Sequence, residues 1–419
     1  VQTCALPILD DSQDGDTISL LRNYTTVPST QSVTVPNGKS IIFDLMNYSI
    51  AQNNTELLIN NGTLTIQSTG GNGMIDTNQD NMFINNGTLN IENGTYKTGK
   101  TKKILINAEN ATVNINDGLI TGDSEMIINN GTINMTGGKL SRYTNSKSFS
   151  FMNNSTGTFV VTGGEIYNAG QPATIINEGN LEISDVKADL ARYESCQYCF
   201  GWTSHFIENK TGGYARITGG TYGETKNEGI LLTNYGTAEV YNITDKFSSS
   251  LNYGVLSISN DNLLNSIGNY ENGVINVTGD INAIGSDYLL SLYDTSTTNI
   301  ISGTVKSENN SPIYVNENAT LNIGTPGGIP SISNPVVQGK NYAVYVVTNT
   351  NGKVYFYDGV IIGETAPVSG VITNYEPGYK EDRNSATDPD SGNTDPDSGD
   401  ANENQEPIID DNEIGEAEM

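Results

Sequence analysis

Apolar and polar residues alternate along this chain in short bursts, and the bursts are separated by turns rich in Asn and Gly. One phrase keeps returning: Asn-Asn-Gly-Thr followed by apolar-polar-apolar. It stands at Asn60–Ile66, Asn85–Ile91 and Asn129–Met135, with looser copies at Ser155–Val161, Asn177–Ile183 and Asn318–Ile323. The first apolar residue after each turn falls at Leu64, Leu89, Val113, Ile133, Phe159 and Leu181, so the steps are 25, 24, 20, 26 and 22 residues. A period of that length is the mark of a repeat architecture. Alternation over three to five positions predicts half-buried strands. Within one period three bursts can be separated, at Leu64–Ile66, Met74–Ile75 and Met82–Ile84. Three strands and three turns make one coil of a right-handed parallel β-helix. Leucine-rich repeats share the period but require Leu at fixed offsets, and here Leu, Ile, Val, Phe and Met interchange freely. No stretch sustains an i, i+3, i+4 pattern, which excludes helical repeats. The expected fold is therefore all-β: a parallel β-helix solenoid of roughly a dozen coils, followed by a disordered acidic tail.

Stacked coils place equivalent residues one above another. The Asn-Asn pairs are expected to form ladders that exchange side-chain hydrogen bonds along the stack, and the Gly residues to supply turns needing positive φ. The 45 Gly and 22 Tyr fit turn-rich β structure.

The two ends read differently from the middle. Val1–Ile8 resembles the translation of a sequencing adapter and reads as a non-native segment, which would remove Cys4 from consideration. Residues 9–58 read as an N-terminal cap with the first coils, and 59–380 as the repeats. No signal peptide can be read, and no apolar run reaches the length of a membrane span. From Asn384 to Met419 there are 12 acidic residues and no basic one, with Thr-Asp-Pro-Asp-Ser-Gly repeated at 387–392 and 394–399. Residues 381–419 are therefore expected to be an extended acidic spacer without a core. The chain carries a net charge of −28, and the body without this stretch keeps −16. That balance excludes a nucleic-acid binder, which needs clustered Lys and Arg, and gives no attraction to anionic membranes.

The entry Gly15–Ile50 and the closing stretch Gly352–Pro367 with Glu376–Tyr379 resemble the first and last coils of surface β-helix proteins of Gram-positive bacteria, which have the pectin-lyase-like fold. The resemblance implies secretion, a solenoid and attachment to the cell wall, hence an extracellular, cell-surface or cell-wall location. It carries no catalytic residue.

Several motifs could carry chemistry. Gly94–Thr101 matches the phosphate-binding pattern G-x-x-x-x-G-K-T, but that mechanism needs a helix after the loop, and Lys102–Ile106 reads as a strand. Gly70–Asp76 is similar to a calcium-binding nonapeptide turn, yet such sites need successive copies; a plain Gly turn is the simpler reading. Asp388, Asp390, Asp395, Asp397 and Asp400 offer oxygen ligands without a fixed loop, so weak Ca2+ binding by the tail is the most they support. No other cofactor or metal is expected.

The outlier is a loop insertion at 189–206. The step from Leu181 to the next similar strand at Ala215 is 34 residues. The insertion holds Tyr193, Cys196, Tyr198, Cys199, Trp202 and His205, including the only Trp and only His of the chain. For the cysteines, a redox pair lacks its helix start, and zinc finds three ligands at most. A short-range Cys196–Cys199 disulfide is expected in an exported protein. The aromatics either cover a coil edge or build a ligand platform from Tyr193, Tyr198, Trp202 and His205. Catalysis has no visible constellation: the array has no Asp-Asp pair and no Arg-x-Lys element, and acid–base hydrolysis needs two converging carboxylates. The expected function is a non-catalytic surface protein, an adhesin or structural stalk. It would bind host or microbial surface glycans or proteins as a monomer. The alternative is a polysaccharide lyase or glycoside hydrolase on the same fold.

Overall fold

The computed structural model describes residues 12–375, apart from 25–31, 53–56, 78–80, 100–102, 123–124, 143–148, 169–172, 191–204, 224–228, 286–287 and 328–332. It is a right-handed parallel β-solenoid, with no helix among the described residues. Three parallel sheets of 16, 14 and 15 strands run the length of the molecule. We name the 15-stranded sheet the asparagine sheet and the 16-stranded sheet the threonine sheet; the 14-stranded sheet closes the coil. One coil visits them in that order: Leu58–Asn60, Thr63–Gln67, Met74–Thr77, and then Phe83–Asn85 begins the next coil. Fourteen coils carry all three strands, close to the dozen that the repeat implies. No helix among the described residues is long and apolar enough to cross a membrane.

The inward columns follow from parity. Leu64, Leu89, Val113, Ile133, Phe159, Leu181 and Ala215 are successive register partners in the threonine sheet, and all are buried. The 34-residue step therefore closes in register, and the strands on either side of it keep their pairing. Where the column narrows to Ala215 and Ala238, the lumen is filled by Phe206, Tyr222 and Phe247, with Phe206 ring centroids 6.2 Å from Tyr222 and 6.3 Å from Phe247. Large residues offset small ones at constant volume, as close packing demands.

The asparagine ladder exists, but only the first Asn of each pair enters the solenoid. Asn60, Asn85, Asn107, Asn129, Asn153, Asn177, Asn209, Asn234, Asn252 and Asn269 are all buried at the end of their strands. Each Nδ2 donates to the Oδ1 of the next, at 2.7–2.9 Å. The same amides also donate to backbone carbonyls of the turns and of the next strand, for example Asn85 Nδ2 to Gly87 O and Asn129 Nδ2 to Thr158 O, both at 3.0 Å. This satisfies polar groups that would otherwise be costly inside the core. The second Asn faces outward and forms a patchier surface row, with Asn86 to Asn61 at 2.9 Å and Asn154 to Asn130 at 2.6 Å.

The glycine of the phrase has a different reason from the one expected. Gly87 is not in the left-handed region; a Cβ there would sit 2.1 Å from the carbonyl oxygen of Gly62 one coil below. Close stacking of turn backbones demands it. Positive φ is confined to other turns, such as Gly94 (103°) and Gly118 (107°) between the threonine sheet and the closing sheet.

Candidate functional site

Tyr193, Cys196, Tyr198, Cys199 and Trp202 lie outside the described residues, as do most of the 189–206 insertion and the Asp residues of the tail. The margins of the insertion are strand, not loop. Asp189 and Leu190 complete Lys187–Leu190, and His205 opens His205–Asn209. His205 is half-buried, and its Nδ1 lies 3.0 Å from Thr233 Oγ1 on the neighbouring coil. Burial holds its imidazole below the ordinary range, although Glu208 pulls the other way. Phe206 is fully buried in the core. Gly94–Thr101 contains the strand Thr95–Thr98, so it is not a strand-to-helix phosphate loop. Among the described residues no group of three His, Cys, Asp or Glu is placed to hold a metal.

One outward row of the threonine sheet carries three charged residues on successive coils. In the early coils this row carries Thr65, Asn90, Asn114 and Asn134, linked at 2.8–3.1 Å. Later it carries Asn276, Asn299 and Asn322, linked at 2.8 Å. Between them the register runs Val160, Glu182, Arg216, Glu239 and Ser257. Arg216 Nε lies 3.8 Å from Glu239, and its guanidinium sits 5.1 Å from the ring centroid of Tyr241. Burial and a hydrogen bond to Glu239 push the Tyr214 phenol up to about 12. Glu182, Ser184, Arg216 and Tyr241 line a shallow groove of about 190 Å³. Glu182 and Glu239 are two rungs apart, about 9.6 Å along the axis.

A longer row lies on the asparagine sheet. The residue after each ladder position points outward. It is Asn61, Asn86 and Asn130 in early coils, then Glu178 and Lys210, and then Tyr235, Tyr253, Tyr270 and Tyr293. These four rings stack with centroids 5.0, 5.3 and 5.0 Å apart and planes within 21° of parallel. Tyr314 and Tyr345 carry the row on at 5.8 and 6.0 Å, now from mid-strand positions. Tyr288 leans against both, at 4.7 and 6.0 Å. Gly268 makes room for the stack, since a Cβ there would lie 2.4 Å from Tyr270 Cε2. Burial, followed by neighbouring phenols and carboxylates, raises Tyr235, Tyr253, Tyr270, Tyr288 and Tyr314 above the usual phenol range.

Sequence reasoning missed this ladder because its spacing is uneven. The signal was a dipeptide: Asn234-Tyr235, Asn252-Tyr253 and Asn269-Tyr270 all place Tyr directly after a ladder Asn. No protein-family model, no curated protein and no solved structure matches the chain.

Proposed function

We propose that this protein is a non-catalytic surface solenoid, exported and held at the cell wall, that binds a host or microbial glycan or protein through the tyrosine ladder. One observation carries the reading. Six tyrosines from six successive coils form a continuous aromatic row on one flat face, and Tyr235 at its start is 41% exposed. Stacking that many partly exposed phenols on a surface serves the interior little. Tyr is the residue that recognition surfaces favour, because it offers large area at low entropic cost. The rod holds the row straight, and the acidic spacer would carry it away from its anchor.

The test is retention of the full chain on immobilised glycans, mucins and unrelated proteins, scored together with release of sugar products. Retention without products, reduced about tenfold or more by Tyr253→Ser with Tyr270→Ser, is the expected result. Retention lost instead in Trp202→Ala would move the site to the insertion.

A specific observation favours one other reading. Glu182, Arg216 and Glu239 break the outward asparagine row together, and a pair of carboxylates on one face is what glycoside hydrolysis requires. Products from any polysaccharide, abolished by Glu182→Gln or Glu239→Gln, would establish that reading in place of the first.

A further inference from the structure

The ligand chemistry of the tyrosine face can be taken further, on the premise that this face is the binding site. The ring faces of Tyr253, Tyr270 and Tyr293 are turned toward one another. They cannot also lie flat beneath sugar rings, so a face-on platform for neutral sugars is closed along most of the row. Stacking leaves ring edges and phenol oxygens as what the row can offer a partner.

A second row runs beside it. Glu271, Asp294 and Glu317 occupy equivalent turns on successive coils, each at φ between 52° and 54°. Their backbones and carboxylates interlock: Asp294 Oδ2 accepts from the Glu271 N–H at 3.0 Å, and Glu317 Oε2 accepts from the Asp294 N–H at 2.8 Å. Each of those two carboxylates keeps a second oxygen for another donor. Glu271 and Glu317 are exposed. These acids are near enough to the ladder to act on its phenols: Glu271 and Asp294 on Tyr253, and Glu317 on Tyr314.

The chain shows what such a border accepts. In the coil before Tyr235 the ladder position is Lys210, whose ammonium lies 6.0 Å from the Tyr235 ring centroid and 2.5 Å from Glu208. A cation thus already sits between an aromatic ring and a carboxylate at the head of the row. Elsewhere Lys139 on Tyr167, Arg216 on Tyr241 and Arg22 on Tyr24 repeat the pairing at 4.1–5.4 Å.

We propose that the tyrosine ladder and its acidic border seat an extended Lys- and Arg-rich polypeptide segment laid along the solenoid axis. Aliphatic stems would lie on the ring edges while the cationic heads reach the carboxylates and phenol oxygens. Five rung steps from Tyr235 to Tyr345 span about 24 Å, which an extended segment of about seven residues covers. Flexible four-carbon stems absorb the mismatch between the rung spacing and the same-face repeat of an extended chain, about 6.6 Å. The charge of the body draws such a segment in and makes the encounter salt-dependent.

The experiment measures binding of the full chain to three probes: a nine-residue peptide alternating Lys and Thr, a glucosamine hexamer and a neutral glucose hexamer. Three triple variants are compared with the parent: Tyr253→Ser/Tyr270→Ser/Tyr293→Ser, Glu271→Gln/Asp294→Asn/Glu317→Gln, and a control of equal charge change elsewhere, Glu92→Gln/Glu109→Gln/Asp117→Asn. The peptide is expected to bind, to lose about tenfold or more in each of the first two, and to stay within about twofold in the control. A Tyr→Phe triple keeps the stack and removes the oxygens. It should lose a smaller factor, and it stands in if the Ser triple fails to fold. Equal loss in the control, or no loss in the tyrosine variants, overturns the inference as bulk charge attraction. Tyrosine-dependent binding of either hexamer without the peptide overturns the inference but keeps the binding-face reading. If tyrosine substitution changes binding of no probe and no surface in the retention panel, both fall.

Discussion

Asn129 and Asn130 are the same residue type one bond apart, yet the solenoid uses them in opposite ways. Asn129 is buried and holds the amide row together; Asn130 is half-exposed and contributes a surface contact. Asn129→Ala should cost about 2–4 kcal/mol in chemical denaturation, since it leaves buried partners on both sides unmet. Asn130→Ala should cost below about 1 kcal/mol. Parity makes the distinction legible: Leu58 and Asn60 fall on the same side of a strand, so the first Asn goes inward with the apolar residues. The glycine was legible as necessary but not for its cause, because only stacked backbones reveal that a Cβ on Gly87 would sit 2.1 Å from the Gly62 carbonyl oxygen.

Asp245 is another residue whose position decides its chemistry. It is buried, and burial raises its carboxyl well above the usual carboxylate range, only partly offset by the Phe247 N–H donating to it at 2.9 Å. A group with a raised folded pKa contributes stability at low pH and loses it as pH climbs through that pKa. Asp245→Asn retains an acceptor for Phe247 without the charge. It should stabilise at pH 7 by about 1–3 kcal/mol, and melting curves taken at falling pH should show that advantage closing toward pH 4.

At the scale of an element, the tyrosine row behaves as one object. Its raised phenols stay protonated in the folded state at pH values where unfolded tyrosines ionise. Stability therefore falls as pH rises above about 10, the ordinary phenol value. Ultraviolet absorbance should show the ladder ionising late and together with unfolding. Gly268→Ala tests the stack without touching a tyrosine. The new Cβ must displace the Tyr270 ring, so stacking with Tyr253 and Tyr293 should be lost while the amide row beneath persists. Near-ultraviolet circular dichroism reads the first change and far-ultraviolet the second. This element was hidden from sequence reasoning because the steps between its tyrosines vary from 17 to 31 residues and the Asn-Asn-Gly-Thr phrase fades in the coils that carry it. The strands themselves were legible: the bursts at Leu64, Met74 and Met82 became Thr63–Gln67, Met74–Thr77 and Phe83–Asn85 with little adjustment. Inward–outward alternation is a local signal, whereas an outward row assembled from six coils is visible only once the register is known.

For the whole molecule, each coil meets only the coils before and after it, so stability is close to a sum of coil and interface terms. Removing Asn86–Asn107 excises one period and brings Ala108 directly after Asn85. The shortened chain should fold into the same solenoid with one coil fewer and melt within a few degrees of the parent. Removing half a period should abolish cooperative unfolding, because every inward residue beyond the joint would have to find a new column.

The amide row also has a sense. Every Nδ2 points toward the later coil and every Oδ1 toward the earlier one, so the ten side chains form a file of aligned dipoles. Such a file is a template: a strand bearing one more amide could be added in register at either terminus, as in cross-β fibrils. This one is insulated at both ends. The rung before Asn60 presents Val35, and beyond Asn269 the row ends on Thr298 Oγ1, with Leu292 and then Val315 in the vacated positions. The polarity that aligns the coils within the rod is thereby denied to a foreign strand approaching along its axis. A long stack of parallel sheets can then be held at high concentration without its amide row seeding fibres.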